Sequence, residues 1–183
     1  MIPPEAMMAH RGDLTWRGDA GAGAVFSKDG LYRYVLWRGL TACGLTTADD
    51  RRYCLFIMLN PSTADECTDD ATIRRCRSFA AAWNYDVLVV CNLYGFRATD
   101  PRHLRTAADP IGPRNDELLE IFTRSVERVI CAWGTHGVAR GLKLTSRLRA
   151  WALRDLHTLG LTLSGAPRHP LYVRSATTPK VLP

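Results

Sequence analysis

A chain of 183 residues, 46% hydrophobic and 23% charged, has the make-up of one globular domain with its own core, which excludes a disordered or low-complexity protein. No apolar run approaches the ~20 residues of a membrane helix, and the opening MIPPEAMMAHRGD lacks the basic-then-apolar order of a signal peptide. The net charge of +6 suits a polyanionic partner. The six scattered cysteines, with no C-x-x-C pair, suit reduced, mostly buried thiols in the cytoplasm rather than a disulfide framework or a zinc site.

Residues 1–24 are rich in Gly, Ala and charge and read as a flexible arm. Residues 24–26 and 31–37 flank Lys28-Asp29-Gly30 and read as a hairpin, because Asp-Gly is a strong turn signal. LYRYVLW alternates only partly, which predicts an edge strand with one wet face. Residues 41–52 read as a loop. The apolar run 54–59 then predicts a strand buried on both faces. It stops at Asn60-Pro61, because proline cannot donate to a ladder and restricts the residue before it. A loop that starts at the carboxyl end of such a strand is where ligands sit in open α/β sheets.

Thr68, Asp69 and Asp70 suit a helix N-cap, and Ile73, Cys76, Ala80 and Trp83 recur at helical spacing as its core face. Arg74, Arg75 and Arg77 fall off that face, which makes them a solvated surface or phosphate contacts. Residues 86–91 are a second buried strand, which delivers Asn92 at the same edge as Asn60. Residues 104–112 read as a loop and 114–127 as a helix with Leu118, Phe122 and Val126 inward. Residues 128–133 are a third strand, ending in Gly134-Thr135-His136-Gly137. Cys131 within it reads as core rather than as a thiol partner of His136. A helix over 138–159 with a stop at Gly160, a short strand at 161–163 and an unstructured tail at 175–183 complete the chain. The sum is a single α/β domain over 1–183, an N-terminal β-hairpin followed by a mostly parallel sheet.

Four segments in this order resemble the uracil-DNA glycosylase superfamily, most closely its mismatch or thymine-DNA glycosylase-like branch. LNPSTAD (59–65) resembles the first motif. VCNLYGFRATDP (90–101) resembles the strand and loop whose Asn reads the base. VICAWGTHG (129–137) resembles the strand that ends in Trp-Gly. RHPLY (168–172) resembles the motif that carries the catalytic His and the intercalating loop. The resemblance covers 53–173, the motif-bearing core. LNPSTAD and the Asp109-Pro110-Ile111-Gly112-Pro113-Arg114-Asn115-Asp116 stretch also resemble an uncharacterised bacterial and phage domain family.

The superfamily resemblance implies a three-layer α/β/α fold and a cytoplasmic, monomeric, monofunctional DNA glycosylase with neither cofactor nor metal. It would flip a nucleotide out of DNA and excise an altered pyrimidine, leaving an abasic site. Asn60 would hold the water, His169 would donate to the departing base, and Asp65 is the alternative source of a carboxylate. Pro61, Ser62, Asn92 and Gly134 would bound the base, with Tyr94, Phe96 or Phe79 stacking on it. Arg97, Arg168 and Arg174 would contact phosphates, and Leu171 and Tyr172 would form the wedge. Leu171 stands where the superfamily usually has Ser, which leaves room for a bulkier base of the kind found in phage DNA. The rival readings are a nucleoside or nucleotide N-glycosidase and a non-catalytic module that binds modified DNA.

Overall fold

The computed structural model describes residues 12–40 and 50–183. Among them, eight strands form one sheet: β1 (Leu14–Gly18), β2 (Ala22–Ser27), β3 (Arg33–Gly39), β4 (Tyr53–Met58), β5 (Val87–Asn92), β6 (Arg128–Cys131), β7 (Leu156–Thr158) and β8 (Lys180–Val181). Three α-helices accompany it: α1 (Ala71–Ala82), α2 (Asn115–Ser125) and α3 (Val138–Trp151). The strand order is β1-β2-β3-β5-β4-β6-β7-β8. β4 lies at the centre, buried along its whole length and parallel to both β5 and β6. That burial is why its six residues can be uniformly apolar.

The sheet is mixed, which corrects the expectation of a mostly parallel one. β5, β4, β6 and β7 run parallel, but the β1–β2, β2–β3, β3–β5 and β7–β8 pairings are antiparallel. Four further expectations need correction. Part of the arm expected over 1–24 is ordered, because Leu14–Gly18 pairs with β2; residues 1–11 lie outside the described residues, as do 41–49 of the expected loop. β3 is not an edge strand but is enclosed by β2 and β5, with its first six residues buried. The helix expected over 138–159 ends at Trp151, where Ala152 turns extended. Its last stretch instead becomes β7, and the tail supplies β8.

Apolar side chains collect on both faces of the sheet. On one, Leu55, Ile57, Val89 and Cys131 pack with Leu118 and Phe122 of α2 and Leu144 and Leu148 of α3. On the other, Phe56, Met58, Leu88, Val90 and Ile130 pack with Ile73, Cys76, Phe79 and Ala80 of α1. The free thiols of Cys54, Cys76, Cys91 and Cys131 are buried and Cys67 is exposed; Cys43 lies outside the described residues. Burial pushes the four buried thiols above their ordinary values, and Cys131 packs as a core residue. Among the described residues, no helix is long and apolar enough to cross a membrane.

β3 carries an irregularity with consequences for everything near α1. Val25 of β2 faces Val35, but the next residue, Phe26, faces Arg33. One extra residue, Tyr34, is therefore accommodated in β3, and such a bulge re-aims the side chains beyond it. Tyr34 and Val35 pack in the same core, the one under α2 and α3. Arg33 is thereby turned to the α1 face, where its Nη1 donates to the carbonyl of Ala64. Arg38, five residues on, reaches the same face. It donates from Nε to Asp69 at 2.7 Å and from Nη2 to the carbonyl of Asp65 at 2.5 Å. Its Nη1 reaches the carbonyls of Trp37 and Gly23 at 2.8 and 3.3 Å. Arg33 and Arg38 are 2% and 3% exposed, so the loop after β4 is held from beneath by two buried guanidinium groups.

Burial pushes the Asp69 carboxyl up, but hydrogen bonds from Arg77 and Arg38 outweigh it and hold Asp69 below the ordinary carboxylate range. Arg38→Met removes the guanidinium and leaves buried acceptors without donors. The expected loss of stability is about 3–5 kcal/mol, the size found when one partner of a buried pair is removed. Urea denaturation measures it, and a change below ~0.5 kcal/mol, the usual effect at an indifferent surface site, would contradict the role given to Arg38.

Candidate functional site

β4 ends where Asn60 and Pro61 leave the sheet, and the neighbouring segment follows it out. Leu93 and Tyr94 donate to the carbonyls of Met58 and Leu59 at 2.8 and 2.9 Å, and Ala98 donates to that of Pro61 at 2.9 Å. Asn60 is locked into this junction. Its Nδ2 donates to the carbonyl of Pro61 at 2.9 Å and to that of Ala98 at 2.7 Å. Both amide hydrogens are thus committed, and Oδ1 is the end of the side chain left without a protein donor among the described residues.

The loop then turns on two aspartates. Asp65 Oδ1 accepts from the amides of Cys67 and Thr68 at 2.9 and 2.7 Å, and these bonds hold its carboxyl below the ordinary range. Asp70 caps α1, with Oδ1 accepting from the amide of Ile73 at 2.8 Å. A cap of this kind contributes about 1 kcal/mol.

The opposite wall comes from the turns after β6 and β7. Gly134 adopts φ 69°, ψ −173°, a left-handed φ that favours glycine, and donates to the carbonyl of Pro167 at 2.8 Å. Trp133 is buried against α3, and a Cβ on Gly141 would fall 2.5 Å from its indole ring. Glycine at 141 is therefore what lets the ring lie on the helix backbone. Residues 161–167 form a small reversal, with Leu161 bridging to Pro167. His169 follows, half-buried, and its Nδ1 accepts from the amide of Leu171 at 3.4 Å. Arg75 of α1 holds this turn through the carbonyls of Val173 at 2.6 Å and Pro170 at 3.5 Å, which gives it a structural role.

Between these walls lies a cavity of about 890 Å³, within the range of small-molecule sites. Asn60 and Ser62 line it from the β4 loop, Asp70, Thr72 and Ile73 from the start of α1, and Arg33 from β3. Trp133, Gly134, Thr135 and His136 line it after β6, and Arg168, His169 and Tyr172 beyond β7. Desolvation lowers the pKa of His169 below its ordinary value, with the Asp70 carboxylate opposing that shift. The ring is therefore neutral near pH 7. Because Nδ1 accepts from Leu171, the remaining proton sits on Nε2, a hydrogen-bond donor. Desolvation also pulls Arg33 down to about 10, which leaves it charged at neutral pH.

Of the residues singled out from sequence, Asn60, Ser62, Gly134, Arg168, His169 and Tyr172 share this cavity. Pro61 lies behind it as a buried hydrogen-bond acceptor. Asp65 turns the loop away from it, and the carboxylate that lines the cavity is Asp70. Asn92 is fully buried in β5, opposite Met58, and neither atom of its amide has a partner among the described residues. Tyr94 lies under Arg140, and Phe96 packs edge-on to Tyr32, while Phe79 stacks with Trp83 in the core. None of these three rings lines the cavity; Trp133 and Tyr172 do. Arg97 reaches back to the carbonyl of Gly30 and over the Phe26 ring. Leu171 and Arg174 are exposed outside the cavity lining. Sequence reasoning missed Arg33, Asp70, Thr72, Trp133, His136 and Leu163. For Arg33 the signal was a lone charge inside an apolar strand, and for Asp70 it was the N-cap position itself.

A family model described as "Protein of unknown function (DUF1643)" matches residues 33–171, more than half of the chain, and spans both LNPSTAD and the 109–116 stretch. No curated protein and no solved structure matches.

His169 is expected to titrate below the ordinary histidine value of ~6.5 and to carry its neutral-form proton on Nε2. The folded state therefore resists the proton that the unfolded chain accepts, and this residue's contribution to stability falls as pH drops through ~6.5. Long-range ¹H–¹⁵N NMR reads both the midpoint and the tautomer. A midpoint at or above the ordinary value, or a proton on Nδ1, would contradict the geometry.

Proposed function

The chain belongs to the DUF1643 family, and we propose that it is a monofunctional DNA glycosylase related to the uracil-DNA glycosylase superfamily. The substrate is an altered pyrimidine in DNA, uracil or a modified cytosine of the phage type, and the product is an abasic site. The observation that carries this reading is the pairing of Asn60 and His169 in one cavity with opposite capacities: a free amide oxygen that accepts, and an Nε2–H that donates. Two further features support it. The parallel strands β5-β4-β6-β7, with helices over both faces, suit a three-layer α/β/α core of the superfamily type. The exposed Leu163, Leu171 and Tyr172 near the cavity mouth suit a surface that fills the gap left by a flipped nucleotide. The four buried thiols suit a cytoplasmic protein.

The chemistry follows from these atoms. A base enters the cavity with its sugar at the mouth. Asn60 Oδ1 accepts a hydrogen bond from a water and holds its oxygen toward the anomeric carbon. The water oxygen bonds to that carbon as the N-glycosidic bond breaks, and the bonding pair leaves with the base. His169 donates to the base oxygen on which negative charge collects; loss of one such preorganised donor costs about 10²–10³ in rate. An amide is a poor base, so the water proton passes to Asp70, whose Oδ2 is not used in capping. No lysine stands in the motifs to form an imine with the sugar, so the reaction stops at the abasic site.

The test incubates the protein with duplex and single-stranded DNA containing uracil, hydroxymethylcytosine or glucosylated hydroxymethylcytosine, followed by alkaline cleavage at abasic sites. Release from at least one substrate is expected. Asn60→Ala and His169→Ala are each expected to slow it by about 100-fold or more while leaving the fold intact. Absence of cleavage on every substrate, or release indifferent to both substitutions, would contradict the reading.

A further inference from the structure

Beyond base excision, we propose that the wall of the cavity at Arg33 is an oxyanion site, and that the cavity takes a second class of ligand, a small pyrimidine that carries a phosphate or carboxylate. Arg33 is 2% exposed, yet it lines the cavity. A guanidinium carries five N–H donors. Among the described residues, Arg33 makes one hydrogen bond, from Nη1 to Ala64, and its Nε is buried without a partner. No carboxylate forms an ion pair with it among those residues. A buried charge that is neither paired nor fully hydrogen-bonded is costly, and an oxyanion held against the part of the guanidinium that lines the cavity supplies a compensating charge and acceptor.

Two features converge on the same place. The first turn of α1 lines the cavity through Thr72 and Ile73 and contains no acidic residue beyond its N-cap Asp70, so the positive end of the helix dipole borders the cavity. Arg168 adds a second cation at the rim. Opposing them is Asp70, the one carboxylate among the lining residues, which takes the Ile73 amide on Oδ1. Asp70 tempers the site without neutralising Arg33, and this makes it the handle for a gain-of-binding test.

The experiment measures binding and not turnover, so it stands apart from the glycosylase reading. Uridine, uridine 5′-monophosphate, orotate and inorganic phosphate are titrated by calorimetry into the full chain and into Arg33→Gln, Arg33→Lys and Asp70→Asn. At least one of the two anionic pyrimidines is expected to bind about tenfold or more tighter than uridine, as a charge-assisted contact does, with inorganic phosphate competing. Preference for the monophosphate identifies a phosphate as the group, and preference for orotate a carboxylate. Arg33→Gln should erase the advantage, Arg33→Lys should restore part of it, and Asp70→Asn, which keeps the capping oxygen, should enlarge it severalfold. The proposal is overturned if uridine binds as well as both anions, if no anion binds, or if folded Arg33→Gln keeps the advantage. Should Arg33→Gln fail to fold, an anion preference that Asp70→Asn leaves unchanged or weakens overturns it as well.

Discussion

The bulge in β3 is a displacement of one residue, and much of the site depends on it. Without it, Arg33 and Arg38 would point to opposite faces of the sheet, because side chains alternate along a strand. With Tyr34 as the extra residue, both guanidinium groups lie under the loop that leaves β4. Arg38 is satisfied there by Asp69 and by carbonyls, which fixes the loop and with it the start of α1. Arg33 spends one donor on Ala64 and lines the cavity. One arginine builds the wall, and the other charges it.

The remaining architecture divides the labour in a similar way. The parallel strands β4 and β6 end at the same edge, and their exits furnish Asn60 on one side and Gly134 on the other, as expected for the carboxyl edge of an α/β sheet. The antiparallel strands β1, β2 and β3 contribute one lining residue, Arg33, and otherwise serve as its support. Contacts between distant segments close the site: Ala98 takes the amide of Asn60, Pro167 takes that of Gly134, and Arg75 of α1 holds the turn that carries His169. Each is a hydrogen bond to a backbone carbonyl, so side-chain identity at the acceptor is free to vary while the geometry stays.

The sequence made much of this visible. β4, β5 and β6 stood out as uninterrupted apolar runs, because strands buried on both faces leave no room for alternation. A helix N-cap among Thr68, Asp69 and Asp70, of which Asp70 takes the role, and the Asn60-Pro61 break were equally plain, since both are set by local backbone chemistry. What was hidden depended on long-range pairing. β3 looked like an edge strand because LYRYVLW alternates only partly, and the positions of its buried arginines are explained only once a bulge and a distant loop supply their acceptors. β7 and β8 are too short to show a period and exist through pairing with β6 and with each other. At the site, Asn60 and His169 were marked by the prolines that follow them, whereas Arg33 and Trp133 were disguised as a strand charge and a core aromatic. Asn92 looked equivalent to Asn60 because both end an apolar strand, but β5 continues through residue 92 and keeps that side chain inside.

The central claim is that the cavity between Asn60 and His169 receives a base from DNA. Hydrogen–deuterium exchange on the protein with and without duplexes carrying uracil or glucosylated hydroxymethylcytosine tests it most directly. The account predicts protection of residues 59–70 together with residues 160–173 on a modified duplex, and little on an unmodified one. Protection confined to surfaces away from these two segments, or the same protection with unmodified DNA, would contradict it.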